Sequence, residues 1–132
     1  MSPLLALTST VFMLQAAPSV GLVSYDEAVR CAGLTQAASE LEGGESAQGR
    51  RLYDAALYWS LAAMQAATAA GKPAPAAEAD QTRARIAAVR LLNGDAPEAR
   101  AALQRCQKKT PNLDWIVCLR PSRTAFAALR LH

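Results

Sequence analysis

Histidine is nearly absent from this chain: the single one, His132, stands at its end. Ser-His-Asp or Cys-His nucleophile activation, His-ligated zinc and His-ligated haem would each have to draw on a terminus, and are set aside. Phosphate loops are missing too. Neither G-x-x-x-x-G-K-[ST] nor G-x-G-x-x-G occurs, and the seven glycines read as helix stops. Cys31, Cys106 and Cys118 are separated by 75 and 12 positions, so there is no C-x-x-C for zinc, haem attachment or dithiol redox work. Phe, Tyr and Trp together number seven against 30 Ala and 17 Leu, which argues against a sheet of aromatic and β-branched side chains and favours helices.

What is present is a foldable chain of one domain at most. Its 132 residues are 52% hydrophobic and 19% charged, too apolar for disorder. A chain of this size buries roughly two thirds of its unfolded surface, but alanine contributes little area per side chain, so reinforcement is expected.

Residues 2–23 carry no formal charge, and Leu4 to Leu14 is a mostly apolar run of the length of a signal-peptide core. Gln15-Ala16-Ala17-Pro18 follows, with cleavage sites after Ala16 or Ala17. The run departs from the usual pattern in lacking a preceding Lys or Arg and in placing Leu14 or Gln15 at the minus-three position. A competing reading is an uncleaved anchor reaching Val23, interrupted by Gln15, Pro18 and Gly21. The expectation is a periplasmic or secreted protein whose mature chain starts between Ala17 and Ser24. In an oxidising compartment two cysteines pair, and Cys31 with Cys106 is the expected disulfide, contributing about 4 kcal/mol by loop closure. The alternative is three small buried hydrophobes.

Four helices follow from their punctuation. Ser24 and Glu27 form an S-x-x-E box opening the first, which runs to Gly43-Gly44 with Cys31, Leu34, Thr35, Ala38 and Leu41 on one stripe. The second runs from near Ser46 to Gly71, stopped by Pro73 and Pro75, with Gly49 weakening its first turn. Its polar residues Arg51, Asp54, Tyr58 and Gln65 share a narrow sector, which predicts a central helix buried on most sides. Ala55 to Gly71 has no charge over 17 residues, near the lower limit of a membrane span, but its alanine content favours a bundle helix. The third starts after Pro75 and ends at Asn93-Gly94. The fourth is capped by Asp95, with Pro97 in its first turn and Ala99, Ala102, Leu103 and Cys106 on one face, and closes at Pro111.

Residues 80–111, with Ala87, Gly94, Ala99, Leu103, Cys106 and Pro111 on small, apolar or closing positions, resemble a single tetratricopeptide-like helical hairpin. Arg90 falls where that pattern has an aromatic or large apolar residue. The resemblance implies that the third and fourth helices pack as an antiparallel pair. The fold expected is all-α: a compact antiparallel bundle of about four helices over residues 24–111, after a leader at 1–23 and before a basic and apolar tail at 112–132.

Charge is divided along the chain. Residues 24–80 hold four basic and eight acidic groups, net −4, and residues 81–132 hold ten and three, net +7. The basic half is read either as a contact surface for an anionic envelope or acidic partner, or as a face drawn to the protein's own acidic helices. Nucleic acid is not expected, because no recognition motif occurs and no aromatic interleaves with the basic helices. Glu40, Glu42 and Glu45 lack the alternating pattern of a calcium loop and read as solvated charge. The candidate binding residues are Arg100, Arg105, Lys108 and Lys109, with Tyr53, Tyr58 and Trp59 as an aromatic cluster that lines a cleft or belongs to the core. No cofactor or metal is expected. The functional expectation is a non-enzymatic, exported helical binding or scaffold module for a protein partner of unknown identity. The alternative is an envelope-associated structural protein contacting anionic membrane through its basic C-terminal half.

Overall fold

The computed structural model describes residues 23–112, and these form four helices: α1 (Tyr25–Glu42), α2 (Ala47–Ala69), α3 (Ala74–Asn93) and α4 (Pro97–Lys109). No strand occurs among the described residues. The expected leader, apart from Val23, and the expected tail, apart from Asn112, lie outside them.

Helix starts are set by local chemistry. Ser24 is extended, and its hydroxyl accepts the Glu27 N–H at 3.2 Å. The Glu27 carboxylate does not return to Ser24 as a reciprocal box requires, but pairs with Lys109 of α4. Ser46 caps α2 by accepting the Gly49 N–H at 2.9 Å. At Gly49 a Cβ would stand 1.7 Å from the Gly43 carbonyl oxygen, so the turn between α1 and α2 closes only because that atom is missing.

Two starts differ from the sequence reading. Helix α3 begins at Ala74, ahead of Pro75, because proline is tolerated in the first turn, where its missing N–H has no intrahelical role. Asp95 does not cap α4. The chain turns through it in the left-handed region, at φ 56°, Ala96 takes the cap position without a side-chain bond, and the Asp95 carboxylate pairs with Arg100.

The central helix is α1, not α2. All three other helices pack on α1, and its buried residues Ala28, Cys31, Ala32, Gly33, Leu34, Thr35, Ala37 and Ala38 extend around most of its circumference. Small side chains make this possible, since each neighbour must approach the same short cylinder. The closest approach is at Gly33, in mid-helix rather than at a stop, where a Cβ would lie 2.6 Å from the backbone carbonyl carbon of Ala84. Buried Thr35 is satisfied within its own helix, donating to the Cys31 carbonyl at 2.7 Å. By contrast α2 leaves one flank outside, with Leu57 49% and Leu61 65% exposed. With only α1 to cover it closely, a helix apolar around most of its circumference keeps a bare side.

The large element in this alanine-rich core is Trp59 of α2, fully buried among Ala28, Cys31, Ala32, Ala55, Ala63 and Cys106. Its indole N–H donates to the Thr110 hydroxyl at 2.9 Å and to the Cys106 carbonyl at 3.2 Å, tying α2 to the end of α4. Cys31 and Cys106 form a disulfide across α1 and α4, with Cα atoms 5.5 Å apart. Helix α4 is therefore held chiefly to α1, and its contact with α3 is sparse, unlike the close pair that a tetratricopeptide-like hairpin implies. Arg90, exposed on α3, offers no large apolar knob to seat α4.

Candidate functional site

The seven candidate surface residues do not form one surface. Trp59 is inside the core, so its assignment to a binding surface is corrected: the indole is a structural pin. Tyr58 is half-buried and meets Trp59 edge-on, with ring centroids 5.2 Å apart, while Tyr53 is 54% exposed. Their helical spacing was legible, but which of them faced inward depended on where α1 and α4 lay.

The basic residues divide in the same way. Arg100 pairs with Asp95 and Lys109 with Glu27, whereas Arg105 and Lys108 have no ion pair among the described residues. Together with Arg85, whose guanidinium lies 2.9 Å from Glu40, Lys109 joins the basic second half of the chain to acidic α1. Part of the charge asymmetry is thus spent inside the domain. Lys108 borders a cleft of about 470 Å³ between the start of α2 and the end of α4, with Gln48, Arg51 and Asp54.

Arg105 borders a larger groove of about 680 Å³, which sequence reasoning missed. Helices α3 and α4 diverge over α1, and the space between them is left unfilled. Its apolar lining comes from all three: Val29 and Leu34 of α1, Ala84, Ala88 and Leu91 of α3, and Ala99 and Ala102 of α4. The only signal in the sequence was the run of alanines on the facing sides of α3 and α4, side chains too short to close the gap.

One end of the groove is built by Tyr25, Lys72 and Asp80. The tyrosine hydroxyl donates to Asp80 Oδ2 at 2.6 Å, Lys72 Nζ lies 2.9 Å from the same oxygen, and that ammonium sits 4.4 Å from the Tyr25 ring centre. Arg83 pairs with the other carboxylate oxygen. These contacts move the three groups apart in titration. Hydrogen bonds from Lys72 and then Tyr25 hold Asp80 down to about 2, the bond to Asp80 raises Lys72, and burial, then the Asp80 carboxylate, raises Tyr25. Each is pushed further from neutrality, which suits a clamp between the α2–α3 turn and α1 better than proton transfer.

Among the described residues no group of three or more His, Cys, Asp and Glu is placed to hold a metal ion, and no helix is long and apolar enough to cross a membrane. Comparison with protein-family models, curated proteins and solved structures gave no match.

Proposed function

We propose that this chain is an exported, non-enzymatic helical binding module whose ligand site is the groove between α1, α3 and α4. The observation that carries the reading is the groove itself. At about 680 Å³ it falls within the range of roughly 300–1,000 Å³ typical of small-molecule sites, and it has the usual composition of an apolar floor with a few polar groups at its edge. The Cys31–Cys106 disulfide supports export, since such bonds persist in oxidising compartments. The clamp residues support binding over catalysis, because none is poised to exchange a proton near neutral pH.

The test is a titration with N-phenyl-1-naphthylamine, a neutral apolar fluorophore. The reading expects saturable binding that is lost when Ala87→Trp and Ala102→Trp fill the groove while helicity is retained. Absence of saturable binding, or binding indifferent to both substitutions, refutes it. Contact with anionic membrane through Arg100, Arg105, Lys108 and Lys109 draws less support, because two of the four are already engaged with acidic side chains of the same domain.

A further inference from the structure

The charges around the groove narrow its ligand, an inference that rests on the groove being the binding site. Arg30 and Arg105 both line it, both are exposed, and neither makes an ion pair among the described residues. They are also neighbours in space. Each immediately precedes one half of the disulfide, whose Cα atoms are 5.5 Å apart, so the Cα atoms of Arg30 and Arg105 stand at most about 13 Å from one another. Two arginine side chains can converge on one anion across that span, each with a planar fork matched to carboxylate or phosphate.

Of the other charges of the lining, Lys72 is held by Asp80, and Asp80 is neutralised by Lys72 and Arg83. Asp26 and Glu98 lie in the first turns of α1 and α4, where the helix dipole favours a carboxylate, and they keep a negative charge that opposes an anion. The two arginines are the cations of the lining that no ion pair among the described residues engages.

The floor limits the rest of that ligand. All three walls are helices, whose main-chain groups past the first turn are paired along the helix, so the groove presents alanine, valine and leucine and no continuous row of free backbone donors and acceptors for an extended peptide. A hydrocarbon chain asks no hydrogen bond of such a floor, and an anionic head at its end would meet the two arginines.

We propose that the groove takes a monomeric single-chain amphiphile with an anionic head, its hydrocarbon between α3 and α4 and its carboxylate or phosphate bridging Arg30 and Arg105. The test uses the full disulfide-bonded chain and displacement of N-phenyl-1-naphthylamine. The expected competitors are dodecanoate and dodecyl phosphate below their micellar concentrations. Dodecyltrimethylammonium is expected to compete about tenfold more weakly or worse, and inorganic phosphate not at all. Arg30→Gln combined with Arg105→Gln is expected to weaken dodecanoate about tenfold more than it weakens the neutral fluorophore, whereas Asp26→Asn, which removes a nearby negative charge, tightens dodecanoate. Equal competition by the cationic detergent, or dodecanoate binding unaffected by the double substitution, overturns the proposal while the groove stands. Failure of the fluorophore itself to bind defeats the groove and the proposal together. Association with phosphatidylglycerol vesicles in the absence of monomer binding also overturns it, in favour of a membrane-surface contact.

Discussion

Breaking the Cys31–Cys106 bond should release α4 before it unfolds the rest of the domain. The bond spans a sequence separation of 75, and closing a loop of that length in the unfolded chain is worth about 4 kcal/mol. Small domains have net stabilities of roughly 5–15 kcal/mol, so this is a large share. At about 4–8 °C per kcal/mol for a domain of this size, the midpoint should fall by roughly 15–30 °C. The loss should not be uniform. Helix α4 fully buries only Ala99 and Cys106, touches α3 little, and is otherwise tied by the Trp59 hydrogen bonds and a surface pair, Lys109 with Glu27, of the kind that contributes about 0–1 kcal/mol. Cys31→Ala with Cys106→Ala is the clean perturbation, since both positions are buried and alanine leaves their packing nearly intact. Thermal unfolding by far-ultraviolet circular dichroism gives the midpoint. Hydrogen–deuterium exchange gives its distribution, with the amides of residues 99–106 expected to lose protection while those of α1 and α2 keep most of theirs. A midpoint within a few degrees of the parent, or protection lost equally from all four helices, refutes the reasoning. So does peptide mapping that finds Cys106 joined to Cys118.

Trp59→Phe should cost about 1–2 kcal/mol by removing the N–H shared between Thr110 and Cys106, and Trp59→Ala about 3–5 kcal/mol by opening a cavity where the largest fully buried side chain among the described residues stood; urea denaturation separates the two. Gly33→Ala should destabilise by about 1–3 kcal/mol despite the better helix propensity of alanine, because the added Cβ meets the Ala84 backbone, and a stabilised variant in the same assay would contradict that packing. Asp80 should give stability an acid limb. Its carboxyl titrates near 2 in the fold against an ordinary 3.8, so its contribution is complete above the ordinary value and is lost as pH falls from about 4 to 2. Asp80→Asn should flatten that limb in denaturation curves run across the same range, and an unchanged slope would show that the clamp is not its source.

The sequence determined the helical class and most of the helix ends, because those are decided within a few residues. Ser24 and Ser46 cap by accepting an N–H three positions on, Gly43 ends α1, and Gly94 ends α3. It also placed Cys31 and Cys106 on apolar stripes, which made their pairing the expectation, while the packing of α4 on α1 decided it. Where a capping rule met a charged competitor, the capping reading failed: Asp95 pairs with Arg100, five positions on, instead of capping α4, and Glu27 with distant Lys109 instead of closing its box. Only the tertiary structure decided which helix is central. The long apolar α2 was the natural candidate, yet the centre of a four-helix packing must admit neighbours on several sides, and α1, with Gly33 and a girdle of alanines, is narrow enough to do so. The same packing sent Trp59 inward while Tyr53 stayed outside, and pinned α4 to α1 rather than to α3. The groove follows from that last choice. It is space that the alanines of diverging helices do not fill, and its shape depends on the angles among three helices that no single one of their sequences specifies.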